Sequence, residues 1–225
     1  MDARKKYWED NIEKWNGYYN FSHTKEEFEG SLIFRWVYRT FIGPVEALLM
    51  KRRYQITSNF LDANVHSKTS FNDLGCGGGV FSILALQKGA KVSAIDFTDA
   101  ALNLTSEAVN FYGGISSNLQ LIKMDLRSDT PPFADVSIAM GVAPYMEDIE
   151  SFLGRTLSST NLMMCNFVSP DHMINRVRQK IPYLNVRRLV FHSPEMIETI
   201  LQKNCFSLKS RIKLGTGFVD VYVRE

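Results

Sequence analysis

The sequence predicts an α/β fold: a doubly wound, mostly parallel seven-stranded sheet with a C-terminal antiparallel hairpin and an N-terminal helical extension. Three observations carry this. From residue 68 onward, short apolar runs alternate with helix-length segments, the pattern of a parallel sheet covered on both faces. Four glycines, Gly75, Gly77, Gly78 and Gly79, crowd the first strand–helix junction. The chain ends in two alternating segments, "FSLKSRIKL" and "FVDVYV", joined at Gly215-Thr216-Gly217, which reads as a hairpin.

Taken in order, residues 1–67 read as a helical cap or lid. Aromatic side chains (Tyr7, Trp8, Trp15, Tyr18, Tyr19, Phe21, Phe28) alternate with acids and lysines, and two helices follow, broken near Gly43-Pro44. "SFNDLG" is a short buried strand, and "VFSILALQKG" a helix stopped by Gly89. "KVSAIDF" is the second strand. Thr98 is the N-cap of the helix "TDAALNLTSEAVNFYGG", which Gly113-Gly114 ends. "LQLIKMD", "DVSIAMG" and "NLMMCNFV" supply strands three to five, with a helix around 147–157. "SPEMIETILQKN" carries Ser193 at the N-cap and Pro194 in the first turn. Residues 68–225 thus form the sheet domain, with 170–192 as a substrate-cap insertion.

The bulk numbers narrow the function. The 225 residues are 45% hydrophobic and 22% charged, an ordinary globular balance. With 26 basic and 24 acidic residues the net charge is +2, which gives no general attraction to nucleic acid. Cys76, Cys165 and Cys205 are scattered, without C-x-x-C spacing or a histidine cluster, so neither a disulfide framework nor a metal site is expected. No apolar run reaches transmembrane length, and "MDARKKYWEDN" lacks the apolar middle of a signal peptide. The expected location is cytoplasmic.

The chemistry concentrates in "FNDLGCGGGVFSILALQKGAKVSAIDFT", residues 71–98. Glycine lets the chain turn tightly and lets backbone approach a ligand. Asp96 ends the second strand, at a spacing that suits a carboxylate gripping ribose hydroxyls. A nicotinamide dinucleotide is the obvious rival, but its fingerprint wants glycine or alanine where Val80 stands. Asp73 is also electrostatically wrong beside a pyrophosphate and right for a ligand carrying an ammonium and a sulfonium.

These residues resemble the first two motifs of the class I S-adenosylmethionine-dependent methyltransferases. Asp73-Leu74-Gly75-Cys76-Gly77-Gly78-Gly79 matches the acidic–x–Gly–x–Gly–x–Gly form of the first motif, and Asp96 the acid ending strand two. Asp125 in "KMDL" matches the acid after strand three. The resemblance implies a Rossmann-like domain with S-adenosyl-L-methionine as cofactor. The loop backbone at Gly75, Cys76, Gly77 and Gly79 would pack against its methionine moiety, with no chemical role for the Cys76 thiol. Asp73 would lie near its amino group, Asp96 at the ribose, and Phe97 over the adenine, with Thr98 adjacent. Asp125 would accept from the adenine amino group beside Leu126, and Met140 would face the site from strand four.

The acceptor side is read from "MGVAPY", residues 140–145. Amino-group nucleic-acid methyltransferases of this family place a polar residue, two prolines and an aromatic here. Ala143-Pro144-Tyr145 has no polar group and one proline too few, and a Pro-Cys nucleophile is missing. A small-molecule acceptor is therefore favoured, with O-methylation ahead of N- or C-methylation. Residues 170–192 carry Arg176, Arg178, Lys180, Arg187 and Arg188 against Asp171, which suits an anionic acceptor such as a natural product, porphyrin, quinone or sugar derivative. Tyr18, Tyr19, Tyr145, Arg187 and Arg188 are the substrate-binding candidates, and His172, His192 and Tyr145 the candidate bases. The alternatives are a non-catalytic cofactor-binding module and, less favoured, a nucleic-acid methyltransferase.

Overall fold

A computed structural model describes residues 40, 43–112, 116–180 and 189–225. Seven strands form one sheet: β1 (Ser70–Leu74), β2 (Lys91–Asp96), β3 (Leu119–Lys123), β4 (Ala134–Ala139), β5 (Thr160–Val168), β6 (Phe206–Leu214) and β7 (Gly217–Arg224). Their order is β3-β2-β1-β4-β5-β7-β6. β1 to β5 pair in parallel, while β7 runs antiparallel to both β5 and β6. The mostly parallel sheet and terminal hairpin expected from the sequence are both present.

Among the described residues six α-helices accompany it: α1 (Gly43–Asn64), α2 (Val80–Gln87), α3 (Asp99–Tyr112), α4 (Ile149–Ser158), α5 (Met173–Lys180) and α6 (Pro194–Lys203). Local chemistry sets several starts. Thr98 Oγ1 accepts the Ala101 amide at 3.3 Å, Asp148 Oδ1 the Ser151 amide at 3.0 Å, and Ser193 Oγ the Met196 amide at 3.2 Å. Pro194 occupies the first turn of α6, where its missing N–H costs nothing. None of these six is long and apolar enough to cross a membrane.

Strand alternation sorts the core into two layers. On β7, Phe218 and Tyr222 face one layer while Val219 and Val221 face the other. The first layer packs Phe152, Leu153 and Leu157 of α4 with Ile197, Ile200 and Leu201 of α6. The second packs Phe60 and Leu61 of α1, Phe81 and Leu86 of α2, and Val109 of α3. Tyr54 of α1 also stacks on Phe81. α1 is thus part of the sheet's own core. Burial on this scale is worth about 1.5–3 kcal/mol per large apolar side chain.

The sheet order positions the site. Chain connections leave β1 toward β2 and β4 toward β5 in opposite directions, so a crevice opens beyond the carboxyl ends of β1 and β4. The glycine loop follows β1, and "MGVAPY" follows β4.

Candidate active site

The loop after β1 is a bend that only glycine tolerates. Gly75, Gly77 and Gly79 have φ of 73°, 55° and 75°, in the left-handed region. A Cβ at Gly75 would stand 2.3 Å from Val142 Cγ2, so this bend touches the turn after β4 directly. The Gly75 and Cys76 amides both donate to the Ile95 carbonyl, at 2.8 and 3.0 Å. Thr105 of α3 donates to the Gly77 carbonyl at 3.0 Å. Neighbouring elements therefore hold the bend before any ligand arrives.

Two carboxylates flank it. Asp73 is 2% exposed and Asp96 6%. Burial pushes the Asp73 carboxyl up to about 6; the Ser82 hydroxyl, donating at 2.7 Å, and the Arg53 charge oppose this, while the Asp96 charge adds to it. Burial also raises Asp96, against hydrogen bonds from the Thr98 amide and hydroxyl, each at 3.0 Å, and from the Gly77 amide at 3.3 Å. Two desolvated carboxylates around a ligand-accessible bend disfavour an anion there and favour a cation or a hydroxyl donor. This is the acceptor pair that a ligand with an ammonium and a ribose diol needs.

Of the remaining predicted residues, Thr98 bonds Asp96 directly. Thr98 and Met140 are buried, and Phe97 is half-buried. Cys76 is buried, and desolvation raises its thiol well above the usual range, so it stays protonated. Leu126 is buried with Leu74 and Ile95. Asp125 shapes its own turn: it accepts the Arg127 amide at 3.0 Å, and the Arg127 guanidinium grips it through Nε at 2.9 Å and Nη2 at 2.6 Å.

The turn after β4 has its backbone acceptors in use. Arg53 Nη2 donates to the Met140 carbonyl at 2.6 Å. The Val142 carbonyl takes the Tyr145 amide, Ala143 the Met146 amide, and Pro144 the Val190 amide. His192 is buried, with Nε2 3.2 Å from the Ala143 carbonyl, and burial lowers its pKa so the ring is neutral at pH 7. That contact commits Nε2 as the donor. Its amide bonds the Val168 carbonyl, so His192 latches the turn to the end of β5. His172 Nδ1 instead accepts the Ile174 amide at 3.3 Å, capping α5. Tyr145 is half-buried in the turn itself. Tyr18, Tyr19, Arg187 and Arg188 lie outside the described residues.

Arg53, on α1, is the functional candidate that sequence reasoning passed over. Its guanidinium bonds Met140, would stand 3.1 Å from a Cβ at Gly141, and acts electrostatically on Asp73. It ties α1 to the turn after β4 and places a positive charge within reach of Asp73 on β1. Nothing in "MKRRY" separates it from Arg52. Asn166 was passed over likewise; its Oδ1 accepts the Gly141 amide at 2.5 Å and fixes the start of the turn.

A sequence model of the ribosomal protein L11 methyltransferase family (PrmA) matches residues 55–159. A magnesium protoporphyrin IX methyltransferase from Synechocystis, solved with S-adenosylhomocysteine bound, superposes with a TM-score of 0.77 at 18% identity, covering 98% of each chain. The chain thus matches a methyltransferase family model over residues 55–159 and has the fold of a methyltransferase. The cofactor of these methyltransferases is S-adenosylmethionine. Two curated relatives align in part. A ribosomal protein L11 methyltransferase from Ruminiclostridium cellulolyticum is 29% identical over 113 residues, 49% of this chain and 35% of that protein. A mitochondrial ubiquinone biosynthesis O-methyltransferase from Schizosaccharomyces pombe is 28% identical over 99 residues, 44% of this chain and 36% of that protein. The aligned part is thus about a third of each curated relative.

Proposed function

We propose that this protein transfers the methyl group of S-adenosylmethionine to a small-molecule acceptor, with a hydroxyl or carboxyl oxygen favoured as the nucleophile. The observation that carries the cofactor half is the buried pair Asp73 and Asp96 around a glycine bend braced by Ile95 and Thr105. Asp73 would hold the cofactor's ammonium, Asp96 its ribose diol, and Phe97, Asp125 and Leu126 its adenine. When bound, the cofactor supplies a sulfonium-activated methyl carbon. The protein's part is then to orient a nucleophile and exclude water, and orientation alone can be worth about 7–11 kcal/mol.

The acceptor half rests on the turn after β4. The carbonyls of Met140, Val142, Ala143 and Pro144 are each engaged, and the turn has no Asn, Asp or Ser side chain. A base amino group entering there would lose its water partners without replacement, which disfavours nucleic-acid amines. Tyr145 stays on the acceptor side as the titratable group of the turn, while His192 and His172 are occupied with backbone. Arg53 offers a cation at the same crevice for an anionic ligand group, and Arg187 and Arg188 remain proposals for the acceptor's far end.

The whole-length likeness to a porphyrin-acting methyltransferase supports a small-molecule acceptor. The second reading is a protein acceptor, favoured by the match to the ribosomal protein L11 methyltransferase family across β1 to β4. A labelled-methyl transfer screen over anionic and neutral small molecules, with a ribosomal protein arm, tests both. Transfer to small molecules alone supports the first reading. Transfer to protein alone replaces it. Cofactor binding with no transfer in any arm favours a non-catalytic module.

A further inference from the structure

α5 is built inside out. Of its eight residues only Asn175 is buried, and it is polar. Its Nδ2 donates to the Ser169 carbonyl at 2.7 Å and to the Thr216 carbonyl at 2.8 Å. Gln179 adds a bond to the Pro170 carbonyl at 3.0 Å. The apolar residues point the other way: Met173, Ile174 and Val177 are 76%, 47% and 42% exposed. Helical geometry sets Met173, Val177 and Lys180 opposite Asn175, with Arg176 alongside. A helix that turns polar bonds inward and apolar side chains outward is shaped for something beyond the domain.

We infer that α5 docks on an anionic membrane surface. Charge complementarity decides between occupants. Arg176 and Lys180 accompany the apolar stripe, while Arg178 turns inward and donates to Asn175 Oδ1 at 3.1 Å; Asp171, 3.7 Å from Arg176, is the single acid between residues 169 and 180. Shallow apolar side chains rimmed by cations match the headgroup–acyl boundary of an anionic bilayer. A second copy packed on the same face by two-fold symmetry sets these cations against their own kind. α5 follows β5, beside the crevice, so docking would present the proposed site to the bilayer. The inference rests on the helix and not on the methyltransferase reading, which is judged by its own titration.

The test is flotation of the full chain with phosphatidylcholine vesicles, with and without phosphatidylglycerol, at low and high salt. The wild type binds the anionic vesicles and is released by salt. Met173→Ser/Val177→Ser and Arg176→Gln/Lys180→Gln each weaken this binding by about tenfold, while S-adenosylhomocysteine affinity is unchanged. Absence of binding to anionic vesicles overturns the inference. So does binding that both double variants leave intact, and so does a concentration-dependent dimer lost in Met173→Ser/Val177→Ser without vesicle binding.

Discussion

The Asp96 carboxylate accepts the Gly77 amide at 3.3 Å, joining the end of β2 to the loop after β1. One side chain thus shapes the bend and faces the crevice. Replacing the charge should therefore reach ligand binding more than folding. Asp96→Asn is expected to weaken S-adenosylhomocysteine by roughly 10–100-fold, since hydrogen bonds to charged groups contribute about 1.5–3 kcal/mol. Titration calorimetry checks this, with circular dichroism to confirm the fold.

Asp73 links stability to pH. Its folded value of about 6 lies above 3.8, so folding takes up a proton between these values. The burden on stability is absent below the unfolded value, grows as pH rises, and is complete above about 6. It amounts to roughly 3 kcal/mol. Asp73→Asn should raise the melting temperature of the ligand-free protein at pH 7.5 and change little near pH 3.5. Thermal scans of both proteins at the two pH values decide it.

Arg53 opposes that burial-driven shift, as the smallest of the influences on Asp73. Its charge lowers the Asp73 pKa, so Arg53→Met should move the midpoint of pH-dependent S-adenosylhomocysteine binding upward. Arg53→Lys should move it less. A pH series of affinities for the three proteins checks the order.

Gly75 and Val142 form a steric pair. Gly75→Ala carries both a left-handed φ and a Cβ 2.3 Å from Val142 Cγ2. The strain of φ alone is about 1–2 kcal/mol. Adding Val142→Ala should recover the steric part and leave that residue of strain. A double-mutant cycle in denaturant measures the coupling, and additive losses would remove the contact from the account.

His192 titrates against stability in the opposite sense to Asp73. Its folded value is lowered, so its contribution is present at neutral pH and fades as pH falls below the ordinary histidine value. His192→Gln should cost about 1–3 kcal/mol at pH 7.5 and less at pH 5.5. Denaturation at both pH values tests this latch.

Much of this was legible before any coordinates. The glycine bend, Asp73 and Asp96 stand out because a buried strand–helix junction otherwise excludes such residues. Thr98 and Ser193 announced their helices through capping chemistry. α5 was not legible as a helix, because its apolar residues serve no core and its basic residues read as part of a substrate cap. Arg53 was hidden because its partners, Met140 and Asp73, are distant in sequence and the bond runs to backbone. Asp125 matched a motif, yet the adjacent Arg127 that grips it drew no notice, since neighbouring charges in a turn carry no periodic signal.

The most direct measurement is calorimetric titration of the wild type with S-adenosylhomocysteine at pH 5 and pH 7, in buffers of differing ionisation enthalpy. A cation beside Asp73 favours the ionised carboxylate, so the account predicts proton release on binding and affinity about tenfold higher at pH 7 than at pH 5. Folded protein that binds no S-adenosylhomocysteine, or binds it equally at both pH values without releasing a proton, would contradict it.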